Sequence, residues 1–301
     1  MKILVTGATG FLGRHLIKKL SKNGEVYLSN TKQANLNNYH NLCEYFGNNK
    51  FDYIYHLAAK TKAGDYCLTH KGEQWIDNQI LNTNILKYWV EKQPQAKMIC
   101  MGTSCMFEPS DLPMTEDQCL EGNPDSGLLT YAFTKRMLLV GMQSIAEQYG
   151  LKYLYFIPST LYGPDFDLND SHFIFDLIKK IYNGKYYEKD VVLWGDGYQK
   201  RELIFIEDVV RIMWDLRDSE NEIVNLGTGV DHSIRDFASY VCNCIDYDQE
   251  KIFYDRTKYT GAKVKILSSN KLLSLMPKDF NFTPLDLGIN YTVDYYLSNM
   301  V

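Results

Sequence analysis

The chain has 301 residues, 45% of them hydrophobic, and a formal net charge of −5. That length and apolar content can bury a substantial core in one large domain or two closely joined ones, while lysines and arginines scattered singly or in pairs leave no basic stripe for a nucleic-acid backbone. No apolar run approaches a membrane span, and seven cysteines without a C-x-x-C pair argue against a disulfide framework and against a zinc or other metal site.

The first residues, Met1-Lys2-Ile3-Leu4-Val5-Thr6-Gly7, run directly into a strand pattern without the separate apolar and cleavage regions of a signal peptide, so the cytoplasm is the expected location. Short apolar or β-branched strands at 2–6, 26–28, 53–56, 98–101 and 153–157 alternate with segments of helical periodicity. This alternation predicts an α/β fold, a doubly wound parallel sheet of the Rossmann type. After Gly163-Pro164 the pattern changes to a helix over about 172–182, short strands near Val191 and Leu203, and further helices. A later strand at 223–226, followed by Gly227-Thr228-Gly229, is expected to return to the main sheet. The division that follows is a nucleotide-binding domain over 1–162, with 223–240 returning to it, and a smaller C-terminal α/β substrate-binding domain over 163–222 and 241–301.

Strand one ends in Thr6-Gly7-Ala8-Thr9-Gly10-Phe11-Leu12-Gly13. Gly7 and Gly10 let backbone amides approach a pyrophosphate, and the helix that follows, with Leu12, Leu16 and Leu20 on its apolar face, adds the positive end of its dipole. Thr9, Phe11 and Leu12 share that turn and are read with the glycines as cofactor-binding positions. A glycine triplet alone is a weak signal; its place between an N-terminal strand and an amphipathic helix points to a dinucleotide. Strand two ends at Ser29-Asn30 without the carboxylate that would bind an unphosphorylated ribose, and Lys32 follows. NADP is therefore expected rather than NAD, with Lys32 or Arg14 at the 2′-phosphate. Strand three runs into Leu57, Ala58 and Ala59, small or apolar residues where backbone passes close to a cofactor. His56 is expected to be a packed histidine rather than a catalytic one.

Thr103 follows strand four, at the carboxyl edge of the sheet where this architecture gathers its ligands. Tyr131 and Lys135 stand one helical turn apart and project from one face. A lysine there favours phenolate, lowers the phenol's proton affinity and makes Tyr131 a proton donor to an alkoxide formed by hydride delivery. Thr103 could hold the same carbonyl.

With these residues the chain resembles the extended short-chain dehydrogenase/reductases over nearly its whole length. Within them, Thr103-Ser104-Cys105-Met106-Phe107 is similar to the S-S-C-x-Y of the GDP-L-fucose synthase family, whereas the Asp-Glu pair of the 4,6-dehydratases is missing. Leu161-Tyr162-Gly163-Pro164, Ser171-His172, Trp194-Gly195-Asp196-Gly197, Arg201-Glu202, Asn225-Leu226-Gly227-Thr228-Gly229-Val230-Asp231 and Ile234-Arg235 resemble further motifs of that family in the same order.

The resemblance implies an NADPH-dependent oxidoreductase and epimerase acting on a GDP-linked 4-keto sugar. A ketone at C4 acidifies the hydrogens on C3 and C5, and the family assigns Cys105 as base and His172 as acid for inversion there, before hydride reduction at C4. A GDP-4-keto-6-deoxy-hexose is the implied substrate, as in the synthesis of GDP-L-fucose or a related deoxysugar. The alternative is a C4 reductase without epimerisation, acting on a related GDP-keto sugar such as a heptose; a regulator that senses dinucleotide without turnover is a third reading. The resemblance further implies cofactor contacts at Lys135, Pro158, Leu161 and His172, and substrate contacts at Lys180, Trp194, Arg201 and Lys265. It also implies a homodimer through helices around 78–92 and 131–149, although those apolar faces could equally pack on the protein's own sheet. The chain departs from the family in a shorter loop between Pro164 and His172, in Thr160 where the family has asparagine, and in Thr260-Gly261-Ala262-Lys263-Val264-Lys265 in place of D-G-T-P-R-K.

Overall fold

The computed structural model describes residues 1–30, 32–61, 66–258 and 260–300. The first half alternates strands and helices: β1 (Lys2–Thr6), α1 (Phe11–Leu20), β2 (Glu25–Ser29), α2 (Tyr39–Phe46), β3 (Tyr53–His56), α3 (Tyr66–Thr69), α4 (Lys71–Lys92), β4 (Lys97–Met101), α5 (Leu129–Tyr149) and β5 (Tyr153–Pro158). The second half holds β6 (Thr160–Tyr162), α6 (Phe173–Tyr187), β7 (Val191–Trp194), β8 (Lys200–Arg201), β9 (Leu203–Phe205), α7 (Ile206–Asp215) and β10 (Glu222–Leu226). It ends with β11 (His232–Ser233), α8 (Ile234–Ile245), β12 (Ile252–Asp255), α9 (Asn270–Leu275) and α10 (Leu285–Ser298).

Six strands form one parallel sheet in the order β10-β5-β4-β3-β1-β2. The strand order reverses between β1 and β3, and ligands of open α/β sheets enter at the carboxyl ends of such a pair. Every residue of β4 is buried, as parallel strands covered on both faces require. On one face α2, α4 and α5 pack Leu42, Trp89 and Leu138 against Leu4, Ile54 and Met98. On the other, α1 and α7 pack Leu16, Val209 and Ile212 against Ile3, Val5 and Ile99. A third core joins α6, α8 and α10 through Ile178, Phe237 and Val293.

Two segments lie elsewhere than a division at residue 163 would put them. The apolar side of α7 closes on the main sheet, and so do Leu272, Met276 and Phe280 of the α9 region. Their periodicity shows an amphipathic face but not which sheet that face covers.

A chain of hydrogen bonds ties the strand ends to α5. Ala58 N donates to Thr6 Oγ1 over 3.3 Å, Thr6 Oγ1 lies 2.8 Å from His56 Nδ1, His56 Nε2 lies 3.1 Å from Asn82 Oδ1, and Asn82 Nδ2 donates to the Thr134 carbonyl over 3.3 Å. Since Asn82 Oδ1 can only accept, the network assigns the imidazole proton to Nε2 and leaves Nδ1 to accept from Thr6. Burial pushes the His56 imidazole down to about 4, so it stays neutral near pH 7. His56 is a packed residue that joins β1, β3 and α4.

Ile85, Trp89 and Leu138 are buried within the chain, whereas Trp75, Ile76 and Ile80 on α4 and Met137 and Val140 on α5 are exposed. Among the described residues no helix is long and apolar enough to cross a membrane.

Candidate active site

Gly7 and Gly10 shape the first cleft. Gly7 has φ +68°, and a Cβ there would lie 2.6 Å from Ala58 N, so a side chain is excluded both by conformation and by space. Gly10 caps α1 without a side-chain hydrogen bond, which leaves the first amides of the helix facing outward for an anion. A cleft of about 460 Å³ opens there, lined by Gly7, Thr9, Gly10, Leu57, Ala58 and Ala59 together with Ser29, Asn30, Asn35 and Lys60. The glycine cradle and the cleft's position at the strand-order reversal fit a dinucleotide.

The other expected cofactor residues sit differently. Phe11 turns its ring edge-on to His15 and Phe175, and Leu12 is buried in the sheet core, so neither side chain lines the cleft. Lys32 is exposed and outside the cleft's lining; its amide donates to Asn30 Oδ1 over 2.9 Å. Arg14 is committed to the carbonyls of Thr9, at 2.6 Å, and Asp165. Pro158 ends β5 and Leu161 packs against the main core, outside the lining of this cleft.

The reacting residues lie at the ends of β4 and α5. Gly102 follows β4 because Tyr155 lies against it: a Cβ there would be 2.6 Å from the ring. Thr103 then caps a short 3-10 turn over Ser104–Met106, its Oγ1 accepting from Cys105 N at 3.2 Å. Arg136 pins this turn. Buried on α5, it donates to the Met106 carbonyl from Nε at 2.9 Å and from a terminal nitrogen at 2.5 Å, and also to the carbonyls of Glu121 and Gly122.

Lys135 does not lower the proton affinity of Tyr131 here. Its Nζ donates to the Met101 carbonyl over 2.8 Å, and burial pulls the ammonium down to about 8. Burial and the neighbouring Cys105 thiolate charge push the Tyr131 phenol up, against the smaller opposing effect of a hydrogen bond with the Thr61 side chain. The expectation took sequence spacing for contact. An amine one turn away stabilises phenolate only when it is aimed at the oxygen, and this one serves a strand carbonyl.

Cys105 lines a second cleft of about 340 Å³ with Trp194, Arg201 and Lys265, and also with Cys67 and Asp125. Lys265 Nζ lies 3.0 Å from Cys105 Sγ, a contact between residues 160 positions apart in the chain. Burial alone would raise the Cys105 thiol, but the Lys265 ammonium, with the Thr103 hydroxyl, outweighs it and holds the thiol below its ordinary value. Arg201 donates to the carbonyls of Lys200, Ala262 and Thr260 at 2.7, 2.8 and 2.7 Å, holding the altered 260–265 segment over the cleft. Glu202 holds the same region: its carboxylate accepts from Gly229 N and Leu267 N at 2.7 and 2.9 Å, and burial raises it to about 7.

His172 and Lys180 lie outside the lining of this cleft. The His172 ring bonds Asp170 Oδ1 at 2.5 Å, and its side chain is 43% exposed. Lys180 pairs with Asp176 on its own helix at 2.8 Å.

The model of the NAD dependent epimerase/dehydratase family matches residues 3–227. The chain belongs to that family. A GDP-L-fucose synthase from Dictyostelium discoideum is 28% identical, covering 99% of this chain and 95% of its own. A GDP-L-colitose synthase from Yersinia pseudotuberculosis is 28% identical, covering 99% and 98%. The solved structure of a GDP-L-fucose synthetase from Naegleria fowleri bound to NADP is 27% identical, with a TM-score of 0.86 over 99% of this chain and 94% of that one.

Sequence reading missed Arg136, Asp125, Cys67 and Asn30. Arg136 follows Lys135 directly on α5, and neither it nor Asp125 belongs to a sequence motif. Only Asn30, at the end of β2, carries a signal in its position.

Proposed function

We propose that the protein is an NADPH-dependent epimerase/reductase of a GDP-linked 4-keto-6-deoxy-hexose. The observation that carries this reading is a thiol held below its ordinary proton affinity in a cleft, two residues beyond the Thr103 that caps the same turn. The relatives' names and the NADP-bound structure support the substrate class and the cofactor.

Bound in the first cleft, the dinucleotide would supply the hydride. Thr103 and Tyr131 would donate hydrogen bonds to the C4 oxygen, where charge develops both in the enolate and during reduction. Cys105 would take a proton from the carbon beside the ketone, and His172 would return one to the opposite face. Tyr131 would then protonate the C4 oxygen. Trp194 and Arg201 would face the nucleotide end of the sugar, with Lys180 near it.

A reductase without inversion is the second reading, favoured by the position of His172 beside Asp170 and outside the Cys105 cleft. Exposed Trp75, Ile76, Ile80, Met137 and Val140 support a homodimer through α4 and α5. Cys43, Cys100, Cys105, Cys119, Cys242 and Cys244 are free thiols, which supports the expected location in the reducing cytoplasm.

Cofactor choice is tested by steady-state kinetics with a GDP-4-keto-6-deoxy-hexose. NADPH should be preferred over NADH by about tenfold or more in kcat/KM, since β2 ends at Ser29 and is followed by Asn30 rather than by the ribose-binding carboxylate. An equal or reversed preference would reject NADPH.

A further inference from the structure

Lys265 reaches Cys105 from the far end of the chain. The segment that carries it is hydrogen-bonded into place on both sides: Lys265 N donates to the Lys200 carbonyl over 3.2 Å, and Met114 N donates to the Ile266 carbonyl over 3.1 Å. Arg201 and Glu202 fix the residues before and after it. The lysine is thus delivered to the sulfur by a braced strand-like segment rather than by a free loop.

The groups facing Cys105 come from every wall of the cleft. Lys265 and Arg201 are cationic, Asp125 is anionic, and Cys67 and Tyr131 are neutral in their protonated forms. Asp125 opposes the thiolate, the Thr103 hydroxyl and the Lys265 ammonium favour it, and Lys265 Nζ lies 3.0 Å from the sulfur. His172 bonds Asp170 instead, so the imidazole is not the thiol's partner here.

We infer that Lys265 is a positioning residue for Cys105, holding the sulfur as a thiolate in an ammonium–thiolate pair at neutral pH. The inference deepens the epimerase reading and rests on it for its role in turnover. In that role the thiolate accepts the proton of the carbon beside the C4 ketone and becomes a thiol. The C–H electron pair moves into an enolate whose charge rests on the C4 oxygen, and Lys265 keeps its own proton throughout. Lys265 therefore differs from the substrate-binding residue that the family resemblance implies: it acts on the base, and it does so before substrate enters.

The test needs no sugar. The full-length protein is alkylated with iodoacetamide across pH 5–10, and Cys105 modification is followed by peptide mass spectrometry in wild type, Lys265→Met and Lys265→Arg. Wild-type Cys105 should titrate below the ~8.5 of a free thiol. Lys265→Met should shift the midpoint up by about one pH unit or more and slow alkylation at pH 7 about tenfold, while Lys265→Arg, which keeps a cation at the sulfur, should restore most of the shift. A wild-type midpoint at or above the free-thiol value, or a Lys265→Met profile that overlays wild type, would overturn the pair. Should Lys265→Met fail to fold by circular dichroism, the wild-type midpoint and the Lys265→Arg profile decide the matter. Solvent deuterium uptake by the sugar is a separate readout, so loss of the epimerase reading would not be mistaken for loss of the pair.

Discussion

Replacing Tyr131 with phenylalanine is expected to slow carbonyl reduction by about a thousandfold, within the ~10²–10⁴ range for loss of a positioned proton donor. The phenol stands at the start of α5, a helix fixed to the sheet by Tyr155, whose hydroxyl donates to the Lys135 carbonyl over 2.8 Å. Removing one oxygen leaves that anchoring intact, so the affinity for NADPH measured by fluorescence should change by less than about twofold while kcat collapses. The pH profile sharpens the expectation. Burial pushes Tyr131 up, so it remains a donor across the neutral range. A Tyr131→Phe enzyme that keeps a tenth or more of wild-type kcat, read by NADPH absorbance, would remove Tyr131 from the proton-transfer step.

Arg136→Met should cost about 2–4 kcal/mol of stability, because it strands the buried Met106 carbonyl and removes charge-assisted hydrogen bonds worth ~1.5–3 kcal/mol each before relaxation. The guanidinium joins α5 to the turn carrying Cys105 and to the 121–122 loop, so its loss loosens the thiol as well as the core. The measurement is a urea unfolding curve. A midpoint within error of wild type would show that solvent satisfies those carbonyls equally well. The substitution adds no bulk to the core, so overpacking would not explain a loss.

The parallel sheet and the glycine turn were readable because they depend on short-range features: strand periodicity, and the positive φ that Gly7 adopts. Tyr131 and Lys135 were readable as a pair, but not the partner of either one. Lys135 bonds Met101 across 34 positions of chain, and spacing along α5 says nothing of that. The same limit hid the contact of Lys265 with Cys105, which only the path of the 260–267 segment creates. His172 illustrates the opposite case. Asp170 stands two positions before it, a local signal present in the sequence and left unread beside the family assignment.

The decisive measurement is turnover of a GDP-4-keto-6-deoxy-hexose with NADPH in heavy water, followed by mass and proton resonance analysis of the product. An epimerising site must exchange carbon-bound hydrogen with solvent, so wild type should place deuterium at C3, C5 or both, and Cys105→Ala should place none while still reducing an already epimerised ketone. A wild-type product reduced at C4 with no carbon-bound deuterium would contradict the epimerase/reductase assignment and leave a simple reductase.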